Sequence, residues 1–571
     1  MALAAGAANL FFNRDTKVFA GQSVGRPITI ASVASGELTT SYAHGLSTGD
    51  RVVITAIGAA TGVTLGAVAY VNVAGGATKI KLYTTLALAI AGGAVDITPA
   101  GTVTAMTLAA VDLYHNPTGA VTPGSDTIVV TSTTAMFTVG DVVQMSNLQT
   151  ADLSYAGVYY VSAATAGASF TLKATGATAT GVLTSPSSIE FRKMMLWELP
   201  VTSGYSMSQG VSTSEITINE MSNSVGASRR GRQMFNDAMT PSEWSLDTYV
   251  RPYKSTNHYA VEEVMWASLL GKNVGVITYS AAPTTDAIAA TAVSTFAQGV
   301  TRSANLLTLD TDDTNTIELA ELDLFFVFGA NKFTTREYSI GTGSATVPGA
   351  GDTVIYKVGR ACINEASMSF DIDGLATVSW SGMGRAATEL GYFYGTAAQS
   401  TGVSSTSNFI RNRLTTLTAV STASTGSTTY SITLTGGSIN ISNNINYITP
   451  EILGQVNKPF AAVAGTRTIG GTFTAYMDET TNSSIDLFQN LAEKYNSVVQ
   501  NSHALNFYVG GFTGANVVTA PGIQFTFGQA HLEVPSISTD DIISAEVNFH
   551  ALPSTVGGTD EMAIRFIGQT L

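Results

Sequence analysis

Two stretches of the chain alternate apolar and polar residues around a tyrosine: EWSLDTYVRPYKS at 243–255 and GGTFTAYMDETTN at 470–482. A period of two puts successive side chains on opposite faces and predicts a strand with one buried face. Each is preceded by a longer stretch of the same period that ends in alternating isoleucines. These are YSMSQGVSTSEITINE (205–220), with Ile216 and Ile218, and YSITLTGGSINISNN (430–444), with Ile439 and Ile441. A polar loop separates the members of each pair. After each tyrosine strand the period becomes helical. AVEEVMWASLLGK places Val261, Val264, Met265, Ser268 and Leu269 on one face, with Glu262 and Glu263 in the first turn and Gly271 at the end. SSIDLFQNLAEKYN places Ile485, Phe488, Leu491, Ala492 and Tyr495 on one face, with Ser483 or Ser484 as N-cap.

The parallel continues. Aromatic strands follow each helix, LDLFFVFGANKF (322–333) and HALNFYVGGF (503–512). Then come two strands joined by an acidic turn, INEASMSFDIDGLATVSWSG (363–382) and AHLEVPSISTDDIISAEVNFHA (530–551), in which Trp380 and Phe549 take the same place. The first strands also match, NRDTKVFAG (13–21) and NRLTTLTAV (412–420). The chain therefore reads as one β domain written twice. Copy one covers 1–26 and 188–400 and is interrupted; copy two covers 401–571. Copy one also has a longer connection, about 272–320, between its helix and its aromatic strand.

The interruption is itself doubled. LSTGDRVVITAI (46–57) matches FTVGDVVQMSNL (137–148), and GAVAYVNVAGGATKIKLYTT (66–85) matches AGVYYVSAATAGASFTLKAT (156–175). Gly-Asp turns before β-branched strands predict two small all-β modules, 27–115 and 116–187. Insertions between strands lie where chain is exposed, so the modules are expected as surface decoration whose removal leaves the rest able to assemble.

At 571 residues the chain is long enough for roughly 3–4 domains. Hydrophobic residues make up 45%, which excludes disorder, but charged residues only 12%. A large surface so poor in charge fits either burial within an assembly or a secreted β protein with a Thr/Ser surface. The net charge is −14, from 41 acidic and 27 basic residues, which argues against a protein that grips phosphate. Cys362 is the single cysteine, so neither a disulfide framework nor a cysteine metal site is expected. The first residues, MALAAGAANLFFNRD, make a poor signal peptide, and the weakly polar run TTLALAIAGGAVDITPAGTVTAMTLAA is too broken to span a membrane. Synthesis in the cytosol is expected.

Catalytic patterns are weak throughout. GQSVG (21–25) has the spacing of a nucleophile elbow, but a strand follows it where the chemistry needs a helix. DTDDTNTIELAE (310–321) resembles a calcium loop but has Asn315 where glycine is needed. The histidines, at 44, 115, 258, 503, 531 and 550, show no ligand spacing; His531 and His550 are expected at a core edge or interface. SRRGRQ (228–233) is the one basic cluster; its three arginines suit phosphate or, better in so acidic a chain, contact with acidic neighbours. No enzyme, cofactor or metal is indicated. Tandem β domains of this kind point to a building block, in which a ring-forming domain fused in pairs supplies two ring positions per chain.

The residues NRDTKVF, MLWELPVTSGYSMSQGVSTSEITINE, MTPSEWSLDTYVRPYKS, AVEEVMWASLLGK and INEASMSFDIDGLATVSWSGMG, in that order, resemble the tail tube proteins of long-tailed bacteriophages. The resemblance covers both copies and not the insertion. It implies a mainly β fold of two tail-tube-type β-sandwich or half-barrel domains, each with one flanking helix. It also implies rings, here homotrimeric and pseudo-hexameric, stacked into a tube through which viral DNA passes without specific binding. Implied partners are further copies of the chain, the tape measure, terminator and baseplate or tip proteins, and in some tails a sheath. The implied place is the virion tail, after synthesis in the host bacterium. Rings of the family stack through a loop that corresponds to 219–241 and 443–467, which assigns Arg229, Arg230, Arg232, Asn457 and Lys458 to ring-to-ring contact. The alternative, a surface-array protein of the S-layer kind, has similar composition. The acidic excess predicts a negative channel lined by alternate residues of the paired strands.

Overall fold

The structure, a computed structural model, describes residues 16–41, 44, 46–64, 67–73, 75–104, 106–110, 115–132, 137–165, 168–174, 181–216, 233–254, 260–271, 294–295, 300–303, 306–310, 320–328, 338–339, 354–393, 409–421, 428–453, 456–495, 503–510, 522–539, 542–555, 558, 560–567 and 569–570. The chain is mainly β. An inner antiparallel sheet begins in copy one with Ser206–Ile216, Gln233–Tyr249, Thr377–Gly384 and the second half of Val354–Asp371. It continues into copy two with Leu434–Ser442, Thr468–Tyr476, Ser544–Leu552 and then the end of Gly522–Leu532 together with Ser536–Ser538.

Each copy adds an outer sheet with the same strand order. In copy one it is Glu190–Leu199, Thr16–Ala34, Leu322–Phe328, the first half of Val354–Asp371, and Ala386–Leu390. In copy two it is Thr429–Ile432, Thr416–Ser421, His503–Gly510, Gly522–Leu532 and Ala563–Ile567. The strands Val354–Asp371 and Gly522–Leu532 serve both sheets. In the first, a register shift between Ile363 and Glu365 lets the strand bend from one layer to the other. Between the layers lies one core spanning both copies, in which Leu246, Trp380, Met368, Ile439, Phe473 and Val547 belong to the inner sheet. Val18, Leu324, Phe326, Leu417, Leu505 and Phe507 belong to the outer sheets. The alternation read from the sequence is the reason: one face of each strand is apolar and must be covered.

Both expected helices are present. The first is Glu263–Leu269, and every residue in it is buried rather than one face only. Copy two covers its outer side: Trp266 packs edge-on to Trp380 at 4.7 Å and to Phe525 of copy two at 5.6 Å. Sequence periodicity sees one neighbour and could not show the second. The other helix, Ser484–Tyr495, buries Leu487, Phe488 and Leu491, while Ala492, expected on its buried face, is exposed. Its serines do not cap it. The Ser484 hydroxyl donates to Tyr476 O (2.6 Å) and that of Ser483 to Asp478 O, tying the helix to the tyrosine strand before it.

The strand register revises one equivalence. Tyr249 lies opposite Thr377, and Tyr476 opposite Ser544. Counting from there sets Trp380 against Val547, and Phe549 against Gly382. The large side chain at that layer has changed strands. In copy one Trp244 faces Gly382; in copy two Gly471 faces Phe549. Both aromatics are buried. A Cβ on Gly382 would sit 2.6 Å from the Trp244 ring and one on Gly471 3.0 Å from the Phe549 ring, so each pair admits one large residue.

The inserted modules have their own cores, one around Ile30, Val52, Val71, Ile80 and Leu108, the other around Val130, Phe137, Tyr159, Phe170 and Phe191. Their Gly-Asp turns are the same turn. Gly49 and Gly140 hold positive φ of 101° and 92°, and Asp50 and Asp141 accept from the backbone N of Ser47 (2.7 Å) and Thr138 (2.8 Å). They are not detached decoration, which corrects that expectation. Thr16–Ala34 runs unbroken from copy one into the first module and pairs there with Thr107–Ala110. From the second module, Val142–Ser146 pairs with Glu190–Leu199 of copy one. Val142 and Val158 share a core with Phe19, Leu196, Phe325, Val327, Ile355 and Phe393.

At the same junction Asp323 is buried between Arg192 (3.1 Å) and Lys357 (3.2 Å) and accepts from Arg360 N (3.0 Å). Burial pushes the Asp323 carboxyl up, but the two cations outweigh it and hold it below its ordinary range. Gln144 of the module joins the cluster: with its amide turned so that the nitrogen faces Asp323 and the oxygen faces Lys357, the nitrogen lies 3.1 Å from Asp323 Oδ2 and both groups are satisfied.

Candidate assembly surface

The two copies meet along one seam. Val354–Asp371 and Leu434–Ser442 pair from Glu365 opposite Ser442 to Asp371 opposite Gly436. Met368, Ile439 and Ile441 beneath it are buried. At the two ends of the inner sheet the same kinds of strand recur without this seam. Among the described strands Ser206–Ile216 pairs only with Gln233–Tyr249, and Ser536–Ser538 only with Ser544–Leu552. By the register, Ile537 is the counterpart of Met368. Met368 is 1% exposed where a copy follows; Ile537 is 58% exposed where none does.

The copies are also strapped together. Leu306–Asp310, from the long connection of copy one, pairs with Ala563–Ile567 of copy two, and Gln569–Thr570 pairs with Tyr253–Lys254. The loop 443–467 of copy two forms an arm with a short hairpin, Asn446–Ile448 with Ala461–Val463. It lies on copy one. The Asn443 amide donates to Leu269 O (2.8 Å) and Ile363 O (3.1 Å), Ile445 N donates to Asn364 Oδ1 (2.7 Å), and the Tyr447 hydroxyl donates to Arg360 O. Asn457, expected at a ring-to-ring contact, uses its backbone within the chain: its N donates to Asp237 O (3.0 Å) and its O accepts from Met239 N (2.8 Å). Lys458 is exposed. Arg229, Arg230 and Arg232 lie outside the described residues, as do most of the calcium-like loop and the tip of 219–241. The arm is less polar than the sequence suggested, since Ile448, Ile452, Leu453, Val456, Phe460 and Val463 are all exposed.

One face of the inner sheet packs on the core and the other is wet. Ser206, Ser208, Ser245, Ser379, Ser381, Ser367, Ser369, Asn440, Thr472 and Thr474 line the wet face, none of them buried. Its charges are Glu243, Asp247, Glu365, Asp371, Glu533 and Glu546, and no lysine or arginine occurs in these inner-sheet strands. His531 and His550 lie there too, His550 bonded to Glu533 at 3.1 Å. Sequence reading placed these histidines only as far as an edge or interface.

Ser23 of the elbow-like GQSVG sits inside a strand, and among the described residues no group of three or more His, Cys, Asp or Glu could hold a metal ion. Cys362 is buried in its strand, which pushes its thiol up to about 12. No described helix is long and apolar enough to cross a membrane.

Residues 270–551 match the family described as phage tail tube protein. Over these residues the chain is similar to the phage tail tube proteins. Over 381 residues it is 26% identical to "Tail tube protein pb6" of Escherichia phage T5, an alignment covering 65% of this chain and 70% of that protein. The family match starts at the end of the first helix and ends on Ser544–Leu552 of copy two, so it contains the whole seam. The inserted modules fall outside it.

Proposed function

We propose that the chain is a structural subunit of a phage tail tube that closes into rings, stacks them and forms the channel for genome delivery. The seam within the chain carries this reading. A strand pairing that joins copy one to copy two can join copy two to copy one of the next chain, because Ser536–Ser538 and Ser206–Ile216 are the counterparts of the two seam strands. In this pairing Ser208 of the next chain lies opposite Ser536 and its sheet covers Ile537, by analogy with the register of the seam within the chain. A heterologous contact of this kind generates a ring when the rotation closes. Three chains then supply six domain positions. The wet face lines the channel, and its carboxylates repel the DNA that passes. The arms and the Arg229, Arg230, Arg232 loop, with Lys458, are assigned to stacking, and other tail proteins to the tube's ends.

Ring closure is tested with Ile537→Asp. The side chain is exposed in the single chain, so folding is expected to survive, while a carboxylate in the seam stops closure. Native mass spectrometry of the unmutated protein is expected to show a trimer, and that of the variant a monomer. A ring of six chains, or rings formed normally by the variant, contradicts the proposal.

A further inference from the structure

The buried charge cluster where the second module joins copy one places an amine beside an amide. Gln144 comes from Val142–Ser146 of the module, Asp323 from Leu322–Phe328 and Lys357 from Val354–Asp371. Val142–Ser146, Glu190–Leu199, Thr16–Ala34, Leu322–Phe328 and Val354–Asp371 pair in that order. The order then returns on itself. Ala386–Leu390 pairs with Val354–Asp371 and leads into Tyr392–Phe393, which pairs with Gly157–Thr165, the partner of Val142–Ser146. This closure brings Gln144 to Lys357 from opposite ends of the order. With the Gln144 amide turned to face Asp323, Lys357 Nζ lies 2.5 Å from the amide oxygen and 3.2 Å from Asp323 Oδ2. The amide nitrogen lies 3.1 Å from that same carboxylate oxygen. One carboxylate oxygen therefore touches both nitrogens. The acid and the lysine occur only in the copy that carries the module: the register puts Ala504 and Thr526 of copy two where copy one has Asp323 and Lys357.

We propose that the folded chain joins Lys357 Nζ to Gln144 Cδ in an isopeptide bond, with Asp323 carrying the proton between the two nitrogens. Asp323 takes a proton from the Lys357 ammonium, and the freed amine attacks Gln144 Cδ. The Nζ–Cδ bond forms as the Cδ–Nε2 bond breaks. The second Nζ proton passes to the leaving nitrogen, Asp323 returns the first, and ammonium departs with the carboxylate restored. One amide is exchanged for another and nothing else is consumed. The surroundings suit the step. Asp323 and Gln144 are each 2% exposed, so the reacting groups are held in place and water is kept from competing. Burial holds the Lys357 ammonium below its ordinary range; the Asp323 charge opposes that fall, and Arg192 and Arg385 add to it, which favours the nucleophilic amine. The bond fastens the module to copy one across the closed sheet.

The test is the intact mass of the unmutated full chain, folded, held at neutral pH and then read by mass spectrometry in denaturant. The expected mass is that of the sequence less one ammonia. A protease digest is expected to hold one branched peptide that joins the segment around Gln144 to the segment around Lys357. Lys357→Arg keeps the charge but supplies no amine, and its folded chain is expected to keep the full mass of its sequence. The unmutated chain decides the matter even where that variant fails to fold. A folded, unmutated chain with the full mass of its sequence after prolonged incubation overturns the proposal. So does a loss of ammonia whose digest holds no peptide joining the two segments, and so does the same branched peptide from folded Lys357→Arg. None of these outcomes bears on ring formation, so the proposed function stands or falls separately.

Discussion

Glu262 shows how a residue that looks like a helix-start carboxylate changes character when it is buried. It is fully buried and accepts from Arg251 N at 3.3 Å. Burial pushes its carboxyl from the ordinary 4.5 up to about 7, with the Arg251 backbone and charge partly opposing the rise. The folded state therefore prefers the protonated form. The contribution of this group to stability is full below pH 4.5 and is lost as pH rises through about 7. Glu262→Gln, which cannot ionise, is expected to match the wild type near pH 4 and to melt at higher temperature by pH 8, with the gap opening between those values. Calorimetry across pH checks this; a gap of equal size at pH 4 and pH 8 means that shape rather than ionisation matters at this site.

At the scale of elements, the second inserted module replaces what would otherwise be solvent on copy one. The outer face of copy one carries Phe19, Phe325, Val327 and Ile355. Strand register gives their copy-two counterparts as Thr418, Asn506, Tyr508 and Gln524, a polar face. The module and the apolar face belong together. Deleting 28–187 is therefore expected to expose this face and to give protein that binds a hydrophobic dye and aggregates, instead of assembling. A soluble deletion variant with a wild-type melting profile contradicts this. Trp266 makes the corresponding point for the first helix: wedged between Trp380 and Phe525, it joins the copies through a shared core.

For the whole molecule, the proposed channel turns on charge. The wet face carries carboxylates from both copies, and its described strands hold histidines but no lysine or arginine. DNA is therefore expected to bind purified tubes poorly even at low salt. Changing Glu243 and Glu546 to Lys places cations on equivalent surfaces of the two copies and is expected to create DNA binding that falls steeply as salt rises. Gel shifts of tubes over a salt series measure it. Tight, salt-sensitive binding by the unmutated tubes places the acidic surface elsewhere.

The sequence by itself determined that the chain is β, that its domain is written twice, and where the strands and helices of each copy fall. Those features are periodic and local: the alternation around Tyr249 and Tyr476 fixes a buried face for any strand that carries it. Only tertiary structure decided which copies and modules touch. Trp380 and Phe549 look equivalent along the chain because both are large, yet Trp244 opposite Gly382 and Gly471 opposite Phe549 fill the layer from different strands. Asn457 looks like a loop residue because nothing local reveals that Asp237 and Met239, more than two hundred residues earlier, hold its backbone. The seam had no sequence signature either. Met368 and Ile537 are both apolar strand residues, and whether each is core or surface depends on a neighbouring copy that periodicity cannot see.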